Sequence, residues 1–80
     1  MSLAKSESVD WQREARRLLR AQMALRDVRY KGLARALETV GVHEDPKALA
    51  NKINRGTFSC AFFLQCLRAL DIDAVRVKDL

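Results

Sequence analysis

Between Gly41 and Phe63 the chain carries its densest helix punctuation, and this stretch most constrains what it can fold into. Gly41 follows an apolar turn, Asp45-Pro46 marks a helix start, Arg55-Gly56 a stop, and Ser59 a further start ahead of Phe62 and Phe63. Glycine tolerates the left-handed backbone that ends many helices, and Asp or Ser accepts the orphan amide hydrogens of a first turn. Proline at the first helical position gives up an amide hydrogen that would lack a partner anyway. Leu49 and Ile53 fall at helical spacing between these marks. The stretch therefore reads as helix, turn, helix, turn, helix, with a short middle helix from Pro46 to Arg55.

Helical spacing continues on both sides. Asp10 caps a run predicting a helix over 10–26, with Trp11, Ala15, Leu18, Leu19 and Leu25 on its apolar stripe. Arg13, Arg16, Arg17 and Arg20 form the opposite, solvated face, which can also meet phosphates. Tyr30 to Val40 reads as a second helix with Leu33, Ala34, Leu37 and Val40 inward. The helix capped by Ser59 turns Phe62, Phe63, Cys66, Leu67 and Leu70 inward, with Phe58 packing just before it. The alternation Val75-Arg76-Val77-Lys78 is the pattern of a short C-terminal strand. Residues 1–9 are small and polar without an apolar period, the composition of a flexible tail, leaving 10–80 as a single domain. The expected fold is all-α: a compact bundle of four to five short helices containing a helix-turn-helix.

Composition sets the functional limits. Eighty residues, 49% of them hydrophobic, supply one small core that buries roughly 60–65% of the unfolded chain's surface. Fifteen Lys and Arg against ten Asp and Glu give +5, which favours nucleic acid or an anionic surface as partner. Residues 1–40 hold nine basic and five acidic side chains and residues 41–80 hold six and five, so the amino-terminal half carries most of the excess. No apolar run is long enough to span a bilayer and no signal-peptide core is present, so no membrane is expected and the cytoplasm is the default location. Cys60 and Cys66, six residues apart, are rotated about 240° from each other on one helix. They read as reduced, mostly buried thiols.

Catalytic chemistry finds no constellation. His43 lies in a polar turn beside Glu44 and Asp45, where a Ser-His-Asp or Cys-His set would need distant residues to converge on a loop. Cys60 and Cys66 lack the paired spacing of metal ligands, and no phosphate-cradling glycine loop occurs. The expectation is no enzyme, no metal, no cofactor and no small-molecule substrate.

The middle helix is informative in projection. Leu49, Ala50 and Ile53 cluster on one side, while Lys47, Ala48, Asn51 and Arg55 point away from it and Lys52 and Asn54 flank them. Arg and Lys pair with guanine acceptors, Asn hydrogen-bonds adenine, and a small Ala lets a helix lie deep against a thymine methyl. Lys47, Ala48, Asn51 and Arg55 are therefore the candidate base contacts. Glu44 and Asp45, just before this helix, place negative charge near where helix-turn-helix proteins present a helix start to DNA.

The order Leu33-Ala34, a glycine after helix two, a short helix, Arg55-Gly56 and a closing Phe62-Phe63-Leu64-Gln65-Cys66-Leu67-Arg68-Ala69-Leu70 helix resembles the Cro and lambda-repressor-like helix-turn-helix superfamily. Asn51 to Ser59 followed by Phe62 to Leu67 is similar to a group of small bacterial proteins classed as a domain of unknown function. The first resemblance implies a small transcriptional regulator that binds double-stranded DNA. Its middle helix would lie in the major groove, with Arg29, Tyr30, Lys31, Lys52 and Thr57 on the backbone. It also implies a homodimer, for which Val75–Val77 and any uncovered apolar part of helix four are the candidate surfaces. Two departures stand out: Gly41 falls seven residues after Ala34 rather than four, and Arg29-Tyr30 replaces the usual Ser or Thr followed by Gln. The alternative is a protein-protein interaction module, such as an adaptor or a phage or toxin-system component, that keeps the fold without DNA binding.

Overall fold

The computed structural model describes residues 9–79. Apart from Val9, the tail expected over 1–9 lies outside them. The protein is an all-α bundle of four helices: α1 (Trp11–Leu25), α2 (Tyr30–Glu38), α3 (Pro46–Arg55) and α4 (Cys60–Ala69), followed by a 3-10 turn at Val77–Asp79. Among the described residues there is no strand. The Val75–Lys78 alternation has no second strand to pair with, and half of it winds into that 3-10 turn instead.

Three helix starts are capped as their residue types dictate. Asp10 accepts from the Arg13 amide at 3.1 Å, Asp45 from Lys47 at 3.0 Å and Ala48 at 3.3 Å, and Ser59 from Phe62 at 3.0 Å. The fourth, α2, begins after Arg29 with no side-chain cap.

Three helices also share one way of stopping. α2 turns at Gly41 (φ 82°), whose amide bonds Glu38 while that of Val42 reaches back to Leu37. α1 and α4 repeat this pattern with aspartates in the left-handed position, Asp27 (φ 54°) and Asp71 (φ 60°). Val28 then bonds back to Met23 and Ile72 to Leu67. This is the Schellman arrangement, in which the residue after the turn folds its side chain onto the helix. Val28, Val42 and Ile72 accordingly pack against the core.

The core is one cluster: Leu19 and Met23 from α1, Leu33, Ala34 and Leu37 from α2, Leu49 and Ile53 from α3, and Phe62, Cys66 and Leu70 at α4. No polar or charged described residue is buried among them. Full burial of each Leu or Ile contributes about 1.5–3 kcal/mol, so this cluster dominates the stability of so small a bundle. α2 packs on both α3 and α4, and α1 packs on α3. α1 also ties down two helix ends, with Arg16 Nη1 donating to the Asn54 carbonyl at 3.1 Å and Arg26 Nε to the Leu70 carbonyl at 3.0 Å.

Several expectations change. Trp11 and Leu25, placed on the buried stripe of α1, are 58% and 77% exposed, whereas Met23 is buried. The inward face of α1 runs through Leu19 and Met23, and Trp11, Ala15 and Leu18 lie about 100° around the helix from it. Arg16 is half-buried against α3 rather than on the solvated face. Cys66 is buried but Cys60 is exposed, and both are free thiols.

Candidate nucleic-acid interface

α3 is held so that one face stays open. Leu49 and Ile53 are fully buried, while Lys47, Ala48, Asn51 and Arg55 are all exposed, as the projection anticipated. The two residues flanking that face are pinned. On one side Asn54 accepts from the Tyr30 hydroxyl at 3.3 Å through its side chain and from Arg16 through its carbonyl. On the other, Lys52 Nζ lies 2.8 Å from Glu44 Oε2 and 4.6 Å above the centre of the Phe62 ring.

Lys52 is the candidate backbone contact that the structure redirects. Its ammonium is shared between a carboxylate and an aromatic face, both attractive to a cation, and its side chain stays partly exposed, so a phosphate contact by Lys52 competes with Glu44. The same contact answers the charge objection at the start of α3: Glu44 is neutralised by Lys52, and Asp45 is turned into its capping hydrogen bonds. The pair sits beside Cys66, whose thiol is pushed up to about 12 by burial, with Lys52 lowering and Glu44 raising it.

The remaining backbone candidates gather at the opposite end. Tyr30 stands in the first turn of α2 and Asn54 in the last turn of α3, so their hydrogen bond sets the start of α2 beside the end of α3. Arg29 and Lys31 flank Tyr30 and are exposed, as is Thr57 after Gly56. A cleft of about 540 Å³ lined by Arg20, Asp27, Arg29 and Tyr30 opens there. The uncapped α2 start has free amide donors and the positive end of its dipole, so together with Arg29 and Lys31 it attracts anions. In a helix-turn-helix the recognition helix meets bases through its amino-terminal residues; here the cationic neighbours cluster by its carboxyl end.

Sequence reasoning missed Asn54, Arg16 and the Glu44–Lys52 pair as organisers of this surface. Glu44 and Lys52 lie eight residues apart across a helix cap, a spacing without a local signature. Among the described residues no group of three His, Cys, Asp or Glu gathers to hold a metal, and no helix is long and apolar enough to cross a membrane.

The fold and this surface define a small all-α bundle displaying one cationic helix face. The chain belongs to a family described as a domain of unknown function, DUF6471, whose model matches residues 11–75. That agrees with the closer of the two resemblances read from the sequence, the one carried by Asn51 to Ser59 and Phe62 to Leu67. No curated protein and no solved structure matches the chain.

Proposed function

We propose that the protein is a double-stranded DNA-binding domain of helix-turn-helix type, a small transcriptional regulator that lays α3 in the major groove. The Tyr30–Asn54 hydrogen bond carries this reading, because it joins the uncapped cationic start of α2 to the open face of α3 as one surface. Lys47, Ala48, Asn51 and Arg55 read base edges; Arg29, Tyr30, Lys31 and Thr57 hold the backbone, where contacts position without specifying sequence. Lys47 and Ala48 meet base edges at the α3 start while Asp45 stays in its capping hydrogen bonds, and Asn51 and Arg55 carry the contact along the helix.

The experiment is selection of bound duplexes from a random library, followed by anisotropy titration of the enriched site. Asn51→Ala and Arg55→Ala each cost about 1–3 kcal/mol on that site and relax preference locally. No enriched motif, or equal binding by wild type and both variants, refutes the assignment. The second reading, a protein-interaction module, draws on the exposed apolar side chains of α1 and α4. Salt separates the two, since phosphate contacts impose a log-log slope of roughly −0.9 each and an apolar interface does not.

A further inference from the structure

Glu44 stands in a turn that is fixed on both sides. Two residues before it Val42 packs on the core, and its amide bonds the Leu37 carbonyl at 3.0 Å. One residue after it Asp45 accepts from the first amides of α3. From between them the Glu44 carboxylate reaches Lys52, about two turns along α3, at 2.8 Å. The Phe62 ring that receives the ammonium at 4.6 Å belongs to the buried cluster. The pair is thus built on anchored parts, and both side chains are largely covered, with 21% of Glu44 and 38% of Lys52 exposed.

The place of this pair on α3 bears on any duplex the helix meets. A helix with its side chains is about 10–12 Å across and the major groove is about 12 Å wide, so a helix lying there brings both flanks against the phosphate walls. One flank of α3 is Asn54, bonded to Tyr30 and continuous with exposed Arg29 and Lys31. The other is Lys52, whose charge is opposed by Glu44 of the same chain. A phosphate on that side has to displace a carboxylate already within hydrogen-bond distance of Nζ. On the reading of the chain as a DNA-binding domain, on which this inference rests, we propose that Glu44 is a positioning residue that holds Lys52 off the DNA backbone. It keeps affinity one phosphate contact below what the surface could reach. Backbone contacts carry no sequence information, so the restraint acts alike on every duplex and leaves preference to Lys47, Ala48, Asn51 and Arg55.

Anisotropy titrations of the full chain on the selected duplex and on a random-sequence duplex, from about 50 to about 200 mM salt, test it. Glu44→Gln keeps the length of the side chain and removes its charge. It is expected to steepen the log-log salt slope by about 0.9 and to raise affinity roughly fivefold to tenfold near 0.1 M salt, by the same factor on both duplexes. Among the described residues Lys52 is the one hydrogen-bond partner of the Glu44 side chain, so helix content by far-ultraviolet ellipticity stays that of wild type. Adding Lys52→Met, which keeps an apolar stem over Phe62, returns the slope to the wild-type value. A Glu44→Gln slope equal to that of a wild type that does bind DNA overturns the restraint and leaves the DNA reading standing. A wild type that binds neither duplex removes both. A gain that survives in the double variant, or that is confined to the selected duplex, also overturns the proposal, because the new contact is then not Lys52 on a phosphate.

Discussion

Gly56 lies where α3 ends against α1, and a methyl group added there has no room. Its φ is 72° and it is buried; a Cβ would stand 2.3 Å from the Gln12 carbonyl oxygen and 2.9 Å from the carbonyl carbon. Both atoms are backbone in the first turn of α1, so no side chain can swing aside to make space. Relief requires α1 and α3 to part, which would loosen the Arg16–Asn54 hydrogen bond and the packing of Leu19 and Met23. Left-handed backbone costs an L residue about 1–2 kcal/mol, and forcing extra carbon into a packed contact costs about 1–3 kcal/mol more. Gly56→Ala is therefore expected to lose about 2–5 kcal/mol. Gly41 is the internal control, with φ 82° and nothing within 4 Å of a Cβ, so Gly41→Ala pays only the conformational part, about 1–2 kcal/mol. Urea unfolding followed by far-ultraviolet ellipticity measures both variants. At about 4–8 °C per kcal/mol for a domain of this size, thermal melts should separate them visibly. If the two variants agree to within about 0.5 kcal/mol, an error typical of such comparisons, the close approach of α1 and α3 is wrong.

Three further outcomes follow from the same geometry. Burial holds the Cys66 proton in the folded state up to about 12, against an ordinary 9.0 in the unfolded chain. Its contribution is complete below pH 9.0, and stability declines by about 1.4 kcal/mol per pH unit above that as the folded value is approached; denaturant titrations across that range should show this component vanish in Cys66→Ala. A thiol reagent should label Cys60 alone in the native protein and both cysteines after unfolding, because only Cys60 is exposed. Should the protein bind DNA as proposed, Arg29→Ala or Lys31→Ala lowers the salt slope by about 0.9, while Lys52→Met leaves it unchanged; a drop in Lys52→Met would mean that this lysine leaves Glu44 for a phosphate.

What could be read from residues alone was what residues decide locally. Asp10, Asp45-Pro46, Ser59 and Gly56 each act within a turn of their own position, so four helices and most of their bounds followed from them. The outward face of α3 was legible for the same reason, since Leu49 and Ile53 fix which way Asn51 and Arg55 point. α1 misled because it has two apolar stripes about 100° apart, and only the arrival of α3 and α4 selects Leu19 and Met23 over Trp11 and Leu25. Lys52 looked like a surface cation until the fold set Glu44 and the Phe62 ring beside it. Asp27 and Asp71 end their helices as Gly41 does, yet aspartate in the left-handed region is uncommon enough to carry weak warning. The contacts that organise the α3 surface, from Tyr30 and Arg16 to Asn54, span 24 and 38 residues, beyond any local pattern.

The reach of Arg16 and Arg26 has an electrical consequence. Each ends on carbonyls at the carboxyl end of another helix, where an aligned row of peptide dipoles leaves about half a negative charge. Those two cations answer fields generated inside the bundle; a helix dipole adds no net charge, so the formal +5 and its long-range pull stand, but close to the surface these two guanidinium groups offer a polyanion less. Arg29, Lys31 and Arg55 stand without partners among the described residues, so near the start of α2 and the end of α3 an anion meets cations not already engaged inside the bundle.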